Sequence, residues 1–451
     1  MSNIKQYIDK LNSTTKRKEK TQILEDIKKE PEDNELFLKT AKLALDPRHK
    51  FNITEFDTSN ITQHTGEIDL NEALNDLNQK LVIEKIRGQD AHNIVIELYQ
   101  KLSEDDAVIF RNVIDRTLKC GVSSKTINSV WPDQIYIHPH MRCSSFSNKN
   151  LEKINLPAIS QLKEDGRYID IVCDDGINRV DYRSRQGEYD KWNEPHIDDK
   201  LLKYAKGFVL MGEALVMEET GGVMPREAGN GYLNSDDVDP ENIIYRLWDC
   251  VDISDWYSHE TKVEYEDRLE RLKEIVSNLP SNFTIVDTRE VHSKEDVIEH
   301  FRENVSQGLE GSVVKNKKGI WKSGTSTEQV KIKLTFDMDL HVVDVYEGEK
   351  RKKYENQLGG VIAQSSDGQL VAHVAGGFSE KQRKDLWENT DDIIGSVITV
   401  KANDVKMTEN NKYYTLSNPI FIEKRVDKTD ADDINRVFEQ KQQSIESIKL
   451  I

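Results

Sequence analysis

Lys163-Glu164-Asp165-Gly166-Arg167-Tyr168 stands directly before an apolar run, Ile169–Cys173. A lysine becomes a covalent nucleophile only after losing its proton. With an ordinary lysine pKa near 10.4, the neutral amine is about one part in a thousand near neutral pH, a cost of about 4 kcal/mol. A site built on Lys163 must therefore offset that cost with nearby cations or a metal, and must hold an electrophile in line. Gly166 allows close backbone approach. Alone, the string is a weak signal, because a solvated turn can carry the same four residues.

Around this string the chain reads as α+β. Tyr168–Cys173, Phe208–Met217, Ile243–Ile253, Phe283–Val291 and Gly311–Lys315 are short β-rich runs. Arg268–Leu279 and Lys294–Gln307 read as helices between them, the second closed by Gly308. The mixture predicts antiparallel sheets with helices. Upstream the texture differs. Leu70, Leu74, Leu77 and Leu81 recur at helical spacing, as do Ile94, Leu98 and Leu102, and Ile109, Val113 and Leu118. An all-helical first domain follows, ended by Trp131-Pro132. Downstream of Phe336, five short runs with glycine pairs between them predict a small barrel of the OB type. They are His341–Val345, Val361–Gln364, Leu370–Ala375, Val397–Ala402 and Ile420–Lys424, and a charged helical tail closes the chain.

The length of 451 residues suits two to four domains. No apolar run approaches the roughly 18–20 residues that span a bilayer, and no signal-peptide core is present, so no membrane partner is expected. Cys120, Cys143, Cys173 and Cys250 lie far apart without a C-x-x-C pair. That spacing excludes a cysteine zinc module and favours a reducing compartment. The formal charge is −18, with −2 in residues 1–130, −11 in 131–336 and −5 in 337–451. Phosphates respond to local charge, so an acidic total does not exclude a nucleic-acid face.

Further strings follow the lysine in order: Ser184-Arg185-Gln186-Gly187, Gly212-Glu213-Ala214-Leu215, Trp248-Asp249, Glu310-Gly311-Ser312-Val313-Val314-Lys315, Lys331-Ile332-Lys333, and Arg425-Val426-Asp427-Lys428. Each is weak, but the ordered set resembles the covalent nucleotidyltransferase superfamily of ATP-dependent DNA ligases, RNA ligases and capping enzymes. The stretch from Arg111 through Arg116, Lys119, Cys120-Gly121 and Ser123 to Trp131-Pro132 resembles the helical DNA-binding domain of ATP-dependent DNA ligases, particularly the bacteriophage (T-even) type. The resemblance covers nearly the whole chain.

What the resemblance implies is a multidomain ATP-dependent DNA ligase. An all-α DNA-binding domain would span 1–132, an α+β adenylation (nucleotidyltransferase) domain 133–336, and an OB-fold β-barrel with the helical tail 337–451. Lys163 would attack the α-phosphate of ATP, release pyrophosphate and hold AMP, which then passes to the 5′-phosphate of a nick before the 3′-hydroxyl seals it. Glu213 and Glu310 would hold Mg²⁺. Lys331 and Lys333, alternating onto one strand face, would meet the α-phosphate. Trp248 would stack on adenine, the backbone at Gln161 would read its amine, and Arg185 would meet the sugar or the nick phosphate. Arg425 and Lys428 would grip pyrophosphate if their domain closes on the site. Arg111, Arg116, Lys119 and Lys125 would hold DNA phosphates without reading sequence. Lys16-Arg17-Lys18 and Lys350–Lys353 are further charge runs.

Two departures stand out. The family pattern is K-x-D-G-x-R, whereas this chain has Tyr168 in the last slot and Arg167 one place earlier. Neighbours on a strand face opposite ways, so either the strand starts irregularly or the Tyr168 hydroxyl takes the ribose contact. Thr325 stands where related phage ligases often have arginine, with Lys322 nearby to compensate. The expected partner is nicked duplex DNA, met by a monomer in the cytoplasm (the host's, if the chain is phage-encoded). An RNA ligase or capping-type enzyme, and a catalytically silent nick-binding protein, are the rival readings.

Overall fold

A computed structural model describes residues 3–53, 56, 58, 61, 63–174, 176–218, 221–235, 237–350, 353–407 and 412–447. Arg351 and Lys352 of the second charge run lie outside them. The chain divides into two compact units, Met1–His138 with Gln186–Glu188, and Pro139–Arg185 with Tyr189–Ile451. The first boundary falls just beyond the expected Trp131-Pro132.

The first unit is helical, as its periodicity predicts. Its helices are Ile4–Asn12, Arg17–Lys28, Pro31–Leu45, Leu70–Leu77, Gly88–Lys101, Glu104–Ile114 and Ser124–Val130, with a π-helical stretch at Asn78–Ile83. Asp69, Ser103 and Ser123 each accept a backbone N–H two or three residues into the helix that follows, satisfying donors the helix itself leaves unpaired. Leu70, Leu74, Leu77 and Leu81 are fully buried in one core with Phe37, Leu98 and Phe110.

The second unit begins with two sheets. Its strands are β1 (Met141–Ser145), β2 (Ala158–Leu162), β3 (Arg167–Cys173), β4 (Val180–Arg183), β5 (Tyr189–Asp190), β6 (Phe208–Val216), β7 (Ile243–Asp252), β8 (Glu260–Glu264), β9 (Phe283–Ile285), β10 (Thr288–Val291), β11 (Gly311–Asn316), β12 (Ile320–Lys322) and β13 (Gly324–Lys333). One sheet has the order β1-β13-β11-β2-β10, the other β5-β4-β3-β6-β7-β9, and β8 pairs with β12. Pairing is mostly antiparallel, but β1–β13 and β7–β9 are parallel. The second exception has a simple cause: helix Tyr265–Val276 lies between β7 and β9 in sequence, and such a crossover returns the chain in the same direction. Alternation on β3 sorts the second sheet's faces. Ile169, Ile171 and Cys173 enter a core with Tyr182, Leu210 and Tyr245, while Val172 packs on the opposite face with Val209, Met211, Val251, Trp256 and Trp321.

Beyond them lie β14 (Phe336–Glu347), β15 (Leu358–Gln364), β16 (Val371–Val374), β17 (Val397–Ala402), β18 (Asp404–Met407), β19 (Tyr414–Ser417) and β20 (Ile420–Arg425). The sheet β16-β15-β14-β17-β20 contains all five expected strands, and β18–β19 is an additional hairpin. Among the described residues this sheet does not close into a barrel. A single bridge, Gly376 to Ile420, links its end strand to the chain beyond β16. Helices Glu380–Glu388 and Ile434–Ser447 accompany it, the second being the expected tail. One apolar cluster runs from Val314, Val330 and Ile332 through Leu334 and Phe336 into Leu340, Val361 and Ile398, which is why the last two expected domains form one unit. No helix of the described residues is long and apolar enough to cross a membrane.

A buried ion pair ties β7 to the helix behind it. Arg268 donates to both Asp249 oxygens at 2.8 and 2.9 Å, and to the carbonyls of Val263 and Gly319 at 2.6 and 3.1 Å. Both side chains are almost wholly buried. Removing one partner strands the other charge, at a cost of about 3–5 kcal/mol. Arg268→Met should lower stability by that amount in denaturant unfolding, and Asp249→Leu combined with Arg268→Met should recover much of it. A double variant no better than the single one would show that the carbonyl contacts, not the ion pair, hold the helix.

Candidate active site

β2, which lies between β11 and β10 in the first sheet, ends at Leu162, so Lys163 leaves the sheet with its backbone still held. The Lys163 N–H donates to the Gly311 carbonyl at 3.0 Å. Gly311 has φ +143°, and a Cβ there would lie 2.2 Å from the Ile332 carbonyl oxygen, so the start of β11 admits only glycine. Gly166 is equally constrained: its Cβ would lie 2.6 Å from Leu215 Cδ2 and 2.7 Å from the Ala214 carbonyl oxygen. These close approaches fit the Lys163 loop between the two sheets.

The result is a cleft of about 490 Å³ that collects residues from distant parts of the sequence. Lys163, Gln161, Tyr168, Arg185, Glu213, Trp248, Glu310, Lys331 and Lys333 all line it. The Glu310 carboxylate takes Lys163 Nζ on one oxygen and Lys333 Nζ on the other. Burial would raise the Glu310 carboxyl, but the two lysines hold it below its ordinary value. Glu213 is the opposite case. Burial pushes its carboxyl up to about 8 although Lys163 and Arg185 pull it down. Its Oε2 is buried with no hydrogen-bond partner. Two carboxylates so different in state, beside one lysine, are a common mark of a reacting site.

The cleft's other wall is aromatic. Tyr168 has its ring 5.9 Å from Trp248 and 4.4 Å from His140, and Arg185 sits 5.4 Å above the Tyr168 ring. Gln161 is 1% exposed, donates to Thr288 Oγ1 at 3.1 Å, and keeps its Oε1 unpaired.

Not every expected residue is here. Arg167 faces the other side of β3, as alternation requires. It pairs with Asp190 at 2.5 Å, donates to Asn234 at 2.6 Å and stacks 5.1 Å over Trp192. Arg425 and Lys428 are outside the cleft, both on Asp339, and Arg425 also forks onto Asp427 at 2.8 and 2.6 Å. In the helical unit, Lys125 is exposed, Lys119 pairs with Asp115 at 3.2 Å, and Arg111 holds Thr58 with Asp115 at 3.8 Å. Arg116 donates to the backbone carbonyls of Leu43 and Asp46. Its role there is to pin the end of helix Pro31–Leu45.

Arg226, Arg142 and Lys315 line the cleft but have no role in the sequence reading. Arg226 pairs with Asp165 at 2.7 Å, and Lys406 approaches the same carboxylate at 4.0 Å from β18, outside the lining. Thr325 lines the cleft and lies 3.3 Å from Arg142 Nη2, so the cation expected near that slot comes from β1. Lys315 is buried; its Nζ lies 3.4 Å from the Trp248 carbonyl and 4.5 Å from the Tyr265 ring centroid, and burial lowers it to about 8. A lysine ending the run Ser312-Val313-Val314 was the only available signal.

No three His, Cys, Asp or Glu side chains cluster as a metal cage among the described residues. Mg²⁺ commonly uses one or two carboxylates completed by phosphate oxygens and water. Glu213 with its unpaired buried oxygen, and Glu310, fit that pattern.

Residues 140–333 match the family model for the ATP dependent DNA ligase domain. The DNA ligases of Enterobacteria phages T4 and T6 are each 26% identical over 487 aligned positions, covering 96% of this chain and 98% of theirs. A solved chain called Pmar-Lig_PreS3 shares the fold with a TM-score of 0.77 at 20% identity, over 94% of this chain and 99% of its own.

The raised Glu213 carboxyl makes stability depend on pH. Its folded value lies above its unfolded one, so its contribution is full below about 4.5 and is lost as pH rises through about 8. In chelator, without nucleotide, stability of the wild type should fall across pH 5–8 more steeply than that of Glu213→Gln, by at most about 1.4 kcal/mol per pH unit. Parallel curves from denaturant titrations would show that Glu213 is ionised throughout.

Proposed function

We propose that the chain is an ATP-dependent DNA ligase and that Lys163 is the residue through which it seals nicks. The reaction joins a 5′-phosphate to a 3′-hydroxyl in DNA, using ATP and a divalent cation. One observation carries the residue assignment: Lys163, Glu310 and Lys333 share one carboxylate in a cleft that Glu213 and an aromatic wall complete.

In the first step the Lys163 amine forms a bond to the α-phosphorus of ATP as the bond to pyrophosphate breaks. Such transfers need positioning and charge neutralisation more than further covalent help. Lys333 competes with Lys163 for the Glu310 carboxylate, and Lys331 and Lys333 reach the cleft from alternate positions of β13. Glu213 and Glu310 would hold Mg²⁺, which when bound neutralises phosphate charge. Trp248 offers its ring to the base. AMP then moves to the 5′-phosphate of the nick, and the 3′-hydroxyl displaces it.

The proposed organisation has three parts. Residues 1–132 grip duplex DNA, with Arg111, Lys119 and Lys125 on phosphates; 133–336 form the adenylation domain; 337–451 are an OB-type module. In that module Arg425 and Lys428 serve pyrophosphate, and Lys406, already 4.0 Å from Asp165, supports contact between module and cleft.

Incubation with radiolabelled ATP and Mg²⁺ should label the wild type through a phosphoramidate bond that survives alkali and is cleaved by acid, and nicked DNA should discharge the label. Lys163→Ala should abolish labelling, and Lys333→Ala should slow it by about 10²-fold. Wild-type labelling in Lys163→Ala sinks the nucleophile assignment. Discharge by nicked RNA alone favours the RNA-joining reading.

A further inference from the structure

Tyr168 occupies the slot where the family pattern carries arginine, and its hydroxyl is already engaged. It donates to Asp170 Oδ1 at 2.7 Å, and Asp170 is fully buried. The ring is what faces the cleft. Asp170 pairs with Arg183 across β3 and β4, and two residues beyond β4, in the turn that follows, the exposed Arg185 guanidinium sits 5.4 Å from the Tyr168 ring centroid. Trp248 and His140 flank the same ring and leave it little freedom. Glu213 is paired with Tyr168 across β3 and β6, and Glu213, Lys163 and Arg185 line the same cleft.

We propose that Tyr168 is a positioning residue whose ring holds Arg185 in the cleft, so that Arg185 supplies the phosphate-binding cation that the missing arginine would have given. This rests on the ligase reading and assigns one more residue within it. The phosphate is either the α-phosphate of ATP or the 5′-phosphate of the nick, and the two arms of the test separate them.

The full chain is compared as wild type, Tyr168→Leu, Tyr168→Phe, Arg185→Gln and the Tyr168→Leu/Arg185→Gln double variant. One arm measures single-turnover labelling of Lys163 against ATP concentration; the other measures sealing of a pre-adenylated nick. Thermal melting monitors folding, and Tyr168→Met replaces Tyr168→Leu if the latter does not melt cooperatively. Tyr168→Leu should lose about two- to fivefold in kcat/KM, the size of a cation–π contact with an exposed guanidinium, in the arm whose phosphate Arg185 meets. Tyr168→Phe, which keeps the ring, should recover most of that loss. In the Arg185→Gln background, Tyr168→Leu should add nothing. If Tyr168→Phe is as poor as Tyr168→Leu, the hydroxyl is the working group and the proposal fails. Additive losses in the double variant overturn it too, because the residues then act separately. Wild-type labelling, run alongside, tests the ligase reading by itself, so failure of the Tyr168 series leaves that reading standing.

Discussion

The Glu310 carboxylate holds two ammonium groups, Lys163 and Lys333, and the rest of the second unit keeps that triple in place. Three strands converge on it. Lys163 follows β2, Glu310 precedes β11, and Lys333 ends β13; these strands are neighbours in one sheet, with Gly311 opposite Lys333 and Ser312 opposite Leu162. The requirement at Gly311 follows, since any side chain there would push β11 from β13 and separate the carboxylate from one lysine. Behind the sheet, Asn304 donates to Ser312 Oγ at 3.0 Å and lies 3.2 Å from His300, whose other nitrogen is 2.7 Å from Ser160 Oγ. A polar network on the covered side of β2 and β11 thus fixes the strands whose ends carry the chemistry.

Local charge, rather than the total, describes this site. The net charge of −18 belongs to the chain, yet the cleft is lined by seven Lys and Arg residues against four Asp and Glu. Burial then divides the carboxylates. Glu310 keeps its charge because two lysines accompany it, whereas Glu213, paired with nothing at Oε2, is pushed toward its neutral form.

Most of the site was legible in the sequence because its residues sit at strand ends in a fixed order. The strings around Lys163, Glu213, Trp248, Glu310 and Lys331–Lys333 converge on the cleft. Alternation also predicted that Arg167 and Tyr168 would part company, and they do. Less legible were contacts made by long-range pairing. β1 joins the sheet through parallel pairing with β13, 183 residues away at Met141–Gly324, and brings Arg142 to Thr325. No local pattern announces such an edge. The β18–β19 hairpin was likewise missed, its flanking residues being polar and short in span. The two carbonyls on which Arg116 rests were not legible either, because a basic residue looks the same in sequence whatever it contacts.

Carboxylates hold several cations to which the sequence reading assigns phosphates: Lys163 and Lys333 rest on Glu310, and Arg425 and Lys428 on Asp339. The matching shape is no accident of one pair, because a guanidinium fork accepts carboxylate and phosphate oxygens in the same geometry. A phosphate meeting Lys163 and Lys333 would have to exchange with the Glu310 carboxylate, and the binding energy would be the difference between two charge-assisted pairs. Asp339 is a defined partner for Arg425 and Lys428, so any anion that took them would have to offset the loss of that carboxylate.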